Sequence, residues 1–126
     1  MTGVRLFALA ALAALTVVPA AAQPSPAAVQ VRVWSYGFAP NPIHLAAGQP
    51  VTLQFVNQSG TSHDFTAKEF FAASQISAGS AAGGKIDLKG HETRTITLVP
   101  RAGTYPAHCS HFLHEGFGMK DQIVVN

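Results

Sequence analysis

The chain has 126 residues, 48% of them hydrophobic, which supports one domain with an ordinary core. Eight Lys and Arg against six Asp and Glu give a formal charge of +2, which excludes a strongly basic nucleic-acid or acidic-membrane surface. A single Cys excludes an intramolecular disulfide.

The first 22 residues read as a secretory signal. Arg5 supplies a positive start, Leu6 to Val18 is apolar apart from Thr16, and Pro19 ends the run. Ala20-Ala21-Ala22 places small residues at a cleavage position, so the mature chain is expected to begin at Gln23. Leu6 to Val18 is too short to span a bilayer, which takes about 20 residues. No integral membrane segment is therefore expected after cleavage. Export would put the protein in the periplasm, where a lone thiol needs a task such as metal ligation.

Residues 23–28 are rich in Pro, Ala and Ser and read as a flexible lead-in to a domain over 29–126. Val29, Val31 and Val33 alternate with Gln30, Arg32 and Trp34, which predicts a half-buried strand. Tyr36 to Pro42 is a turn-rich crossing whose prolines exclude a central strand. Ile43 to Ala46 predicts a short strand, and Val51, Leu53 and Phe55 mark a longer one. Ala67 to Ala73 is the one helix-like piece, and Ser74 to Gly84 reads as a loop. Lys85–Leu88 and Glu92–Val99 predict strands about the Lys89-Gly90-His91 turn. Thr104–Cys109 and Gln122–Val125 predict the last two. Short strands with frequent turns predict an all-β sandwich. Val31, Val33, Trp34, Phe55, Ile96, Leu98, Tyr105, Ile123 and Val125 are its expected core.

The most informative stretch is Tyr105 to Met119, YPAHCSHFLHEGFGM. It holds the only Cys, three of the six His, and one of the two Met, the other being Met1. Thiolate, imidazole and thioether donors in one loop suit copper first and zinc second. Cys109, His114 and Met119 are spaced Cys-x4-His-x4-Met. A loop between two strands would turn all three inward. Further upstream, His63 stands where the strand pattern of Val51–Val56 gives way to a polar turn.

Phe38-Ala-Pro40, Gly48, the Asn57-to-His63 turn, Gly103-Thr-Tyr105 and this loop together give the chain from Val29 to Asn126 its likeness. It resembles the cupredoxins, the small blue-copper family that includes plastocyanin, pseudoazurin and auracyanin. The gap between Cys109 and His114 is most similar to that of auracyanin. The resemblance implies a Greek-key β-sandwich, cupredoxin-like, with one short helix on the crossover. It implies one copper ion, cycling between Cu(I) and Cu(II), held by His63, Cys109, His114 and Met119. The general blue-copper arrangement is two His and one Cys in a plane under a weak axial Met. His108 and His111 also flank Cys109. The downstream imidazole thus lies between His114, which the spacing to Met119 favours, and His111. His108 and His111 together are a candidate second copper site at the surface. Family likeness further implies that Asp64 contacts Ser110, tying the two ligand segments together.

The function implied is one-electron transfer by a monomer. A redox partner would dock near His114, on a patch of Phe112, Leu113 and Phe117. The alternative is copper delivery, storage or tolerance, with a copper donor or acceptor docking there instead. Enzymatic activity of the multicopper type is not expected, because it needs further copper sites and a second domain. No nucleic-acid partner is expected.

Overall fold

A computed structural model describes residues 3–4, 8–20, 25–111 and 119–126. The strands are β1 (Ala27–Trp34), β2 (Gly37–Ala39), β3 (Ile43–Leu45), β4 (Val51–Asn57) and β5 (His63–Thr66). The helix α1 (Lys68–Ala73) follows, and then β6 (Gln75–Ala78), β7 (Lys85–Leu88), β8 (Thr93–Val99), β9 (Gly103–His108) and β10 (Lys120–Val125). They form two five-stranded sheets, ordered β2-β1-β4-β8-β6 and β3-β10-β9-β5-β7. Strand β1 runs parallel to β4, and β3 parallel to β10, while the other pairings are antiparallel. Among the described residues no helix is long and apolar enough to cross a membrane.

Alternation explains most of the sandwich. Along β4, Val51, Leu53, Phe55 and Asn57 are buried and the residues between them are half-buried. In β8, Ile96 and Leu98 turn inward opposite Leu53 and Val51. The two inner faces close on one another as two apolar layers of a sandwich do. An aromatic cluster fills the end nearest the ligand segments. Phe65 packs edge-on to Phe38 with ring centroids 5.3 Å apart, and against Phe55 at 4.8 Å and Phe71 at 6.4 Å. Phe70 continues the cluster to Phe71 and Tyr105. Helix α1 joins β5 of one sheet to β6 of the other and buries Phe70 and Phe71. The Tyr105 hydroxyl donates to the Arg101 carbonyl at 2.9 Å, closing the turn before β9.

Several expectations change, and Gly37–Ala39 within the turn-rich crossing is the edge strand β2. Strand β1 starts at Ala27, inside the stretch read as a lead-in, because parallel pairing with β4 runs from Ala27↔Val51 onward. Gln75–Ala78 is a strand and not loop. It is an edge strand exposed on both faces, so it carries no alternation to read. His63–Thr66 is a strand as well, buried on both faces, where the sequence suggested only the edge of a polar turn. Trp34 is not core. It remains 37% exposed, lies over Gly37, where a Cβ would meet the indole at 2.7 Å, and has the Arg32 guanidinium 6.0 Å from its ring.

Candidate metal centre

Three segments position the centre. The first is the polar turn after β4. The buried Asn57 side chain donates to the carbonyls of Thr61 (2.8 Å) and Lys89 (2.9 Å), and its oxygen accepts from Ser59 N–H (3.1 Å) and Oγ–H (2.9 Å). One amide thus ties the end of β4, the turn leading to β5 and the β7–β8 connection together. That satisfied network sets where β5 begins, and β5 begins at His63. Here Gly90 faces the Gly60 backbone so closely that any Cβ would collide with it.

The second segment is β5 itself. Side chains two apart share a face of a strand. Phe65 anchors the inner face in the aromatic cluster, and His63 stands beside it, 1% exposed. Asp64 and Thr66 take the other face and are also buried. The third segment is the end of β9 and the start of β10. Antiparallel pairing sets Lys120 opposite His108, and the Cys109 N–H donates to the Met119 carbonyl at 3.1 Å. Cys109 and Met119 are both fully buried at this closure.

These segments bring His63 and Cys109 face to face, with Nδ1 3.9 Å from Sγ. Two ligands of one ion, with metal–sulfur and metal–nitrogen bonds of about 2.3 and 2.0 Å and a wide trigonal angle, lie about 3.7–3.9 Å apart. The pair therefore fits joint coordination of a soft or borderline metal. Met119 is tethered next to Cys109 through the backbone, where a thioether could complete the set. His114 lies outside the described residues, as do Phe112, Leu113 and Phe117 of the expected patch. His111 is described: its Nε2 is 3.6 Å from Asp64 Oδ2, and its ring is 6.4 Å from that of His63. Asp64, Cys109 and His111 offer ligand atoms within 4.8 Å of one another. His108 instead lines an open cleft of about 410 Å³ with Asn41, Pro42 and Asp121.

Asp64 does contact Ser110. Its carboxylate accepts the Ser110 N–H at 2.9 Å, the Ser110 hydroxyl at 2.5 Å and the Thr66 hydroxyl at 2.6 Å. Burial pushes this carboxyl up. The bonds from Ser110 and Thr66, helped by the neighbouring His111, outweigh that and hold it below the usual carboxylate range. It is thus an ionised group stitched across the centre. Burial raises the Cys109 thiol, against a weak 3.5 Å contact from the Asp64 N–H. The thiol is the resting form without a metal, and a bound cation would displace its proton.

The sequence missed two features. Ser35 Oγ lies 2.9 Å from His63 Nε2, and the Tyr36 ring stands edge-on to His63 at 6.3 Å. Nothing in a turn-rich crossing 28 residues upstream signals that contact. Asp121, two residues after Met119, turns inward with Ile123 and Val125. Its Oδ1 accepts the Gln122 N–H at 2.7 Å, Oδ2 has no partner among the described residues, and burial pushes the acid up to about 6.

A profile for the cupredoxin-like domain matches residues 5–125. The chain belongs to the cupredoxin family. Solved structures agree on the fold. Auracyanin B is 24% identical with a TM-score of 0.57, covering 83% of this chain and 93% of that one. The reduced auracyanin of Roseiflexus castenholzii is 17% identical with a TM-score of 0.59, covering 82% and 99%. Auracyanin A of Chloroflexus aurantiacus, described as a "blue" copper protein, is 22% identical with a TM-score of 0.57, covering 81% and 100%. Comparison with curated protein sequences gives no match. The cupredoxin expected from the loop and the two-sheet sandwich is therefore what the chain is.

Proposed function

We propose that this cupredoxin binds one copper ion through His63, Cys109, His114 and Met119 and serves as a one-electron carrier. The observation that carries the proposal is the buried approach of His63 Nδ1 to Cys109 Sγ, with Met119 held beside it. Copper supplies the one-electron couple when bound. The chain supplies the rest. His63 and Cys109 are held from two different strand ends, so their separation is set by the sandwich. Burial of Cys109, Met119 and His63 keeps water from the donors, which favours outer-sphere transfer over chemistry on a substrate. On this reading the protein is a carrier and not an enzyme.

Export to the periplasm, with cleavage after Ala22, belongs to the same proposal, because a lone buried thiol there is protected by its metal. The redox partner would dock near His114. The test is to load the protein with copper and record stoichiometry and voltammetry. One equivalent and a reversible couple with fast electron exchange are expected. Tight Cu(I) uptake with sluggish exchange and ready transfer to a chelator would instead identify copper delivery.

A further inference from the structure

We propose that Ser35 is a positioning residue for His63: its hydroxyl accepts the imidazole Nε2–H and so presents the unprotonated Nδ1 to Cys109. This rests on the reading of His63 as a metal ligand, and it concerns a residue that no motif of the ligand loop contains.

A neutral imidazole carries one proton, and the nitrogen that binds a metal must be the bare one. His63 Nδ1 is the atom that faces Cys109 Sγ, so a metal shared with Cys109 requires the ring proton on Nε2. An Nε2–H buried without an acceptor would carry a desolvation cost. Ser35 Oγ, 2.9 Å away, is placed to take it. Exposure of Ser35 permits that direction. Ser35 and Tyr36 lie on the surface, so the Ser35 hydroxyl proton can go to water while its lone pair receives Nε2–H. On the other side, Cys109 Sγ receives the Asp64 N–H at 3.5 Å and lies 3.9 Å from Nδ1. Tyr36 supports the same orientation, since its ring stands edge-on to the imidazole at 89°. The turn between β1 and β2 thus caps the back of a histidine delivered by β5. It joins the two sheets at the centre.

The test compares wild type, Ser35→Ala and Ser35→Thr. In the metal-free proteins at about pH 8, where an ordinary imidazole is neutral, ¹⁵N NMR of the His63 ring reads tautomer and N–H exchange directly. Wild type is expected to show a protected Nε2–H and a bare Nδ1. Ser35→Ala should lose that protection, and Ser35→Thr should keep it. Zn(II) affinity, measured by competition, should fall about tenfold in Ser35→Ala and recover in Ser35→Thr, the low end of the effect of outer partners on metal sites. A wild-type proton on Nδ1, protection unchanged in Ser35→Ala, or affinity unchanged despite lost protection would each overturn the assignment. The NMR arm needs no metal, so it stands or falls separately from the copper reading.

Discussion

Replacing Asp64 by Asn removes one buried negative charge beside the proposed ligands while keeping the shape of the side chain. Asn Oδ1 can still accept the Ser110 N–H and the Thr66 hydroxyl, and its amide can donate to Ser110 Oγ. The wild-type carboxylate is ionised at neutral pH, since its hydrogen bonds hold it below the usual range. It offers an oxygen within 4.8 Å of the Cys109 sulfur. At that distance and an effective dielectric of about 20, a unit charge is worth about 3.5 kcal/mol, or about 150 mV for one electron. Ser110, Thr66 and His111 spread the charge. The expected rise is therefore on the order of 50–100 mV. A carboxylate favours the more positive ion, so its loss must raise the reduction potential. Voltammetry of copper-loaded wild type and Asp64→Asn at pH 7 provides the assay. An unchanged or lowered potential would refute the reasoning.

Phe65→Ala should cost about 3–5 kcal/mol in urea unfolding of the metal-free protein, because this fully buried ring touches Phe38, Phe55 and Phe71; a loss under about 1 kcal/mol would contradict its role as the anchor of β5. Burial raises the folded-state pKa of Asp121 to about 6, so the native state holds its proton more tightly than the unfolded chain does. Its contribution to stability is then greatest below about pH 4 and declines by about 2–3 kcal/mol as pH rises to about 6. Asp121→Asn should remove that slope and stabilise the metal-free protein by about 1–2 kcal/mol above pH 6, as read by urea titration across pH. Asp64 acts with the opposite sign: its lowered pKa contributes stability that is present above about pH 4 and lost on further acidification, and Asp64→Asn should remove that acid sensitivity.

The sandwich was legible wherever one face of a strand meets the core and the other meets water. Strands β1, β4 and β8 alternate clearly, and the structure places them where the valines, leucines and phenylalanines indicate. Strands lacking that asymmetry were not legible. β5 is buried on both faces and β6 on neither, so neither writes a period of two into the sequence. Trp34 illustrates the converse: it holds an outward position of β1, and its bulk alone suggested core. In the centre, the soft donors of the loop and the upstream His63 were readable as chemistry. The Asp64–Ser110 link was readable only through likeness to a family. Ser35 and Thr66 were invisible, and Asn57 was legible only as the start of a turn, because their roles are contacts made across strands, and Ser and Thr are common in turns for local reasons. Asp121 sits in a strand pattern that offers no sign of a missing partner for its second oxygen.

The account rests on Cys109 and His63 sharing one copper ion. Its most direct test is a Cu(II) titration followed by visible absorption, with wild type and Cys109→Ser side by side. Wild type should develop an intense thiolate-to-copper band that saturates at one equivalent, and Cys109→Ser should show none. A wild-type protein that stays colourless at saturation, or a Cys109→Ser protein with the same spectrum and affinity, would contradict it.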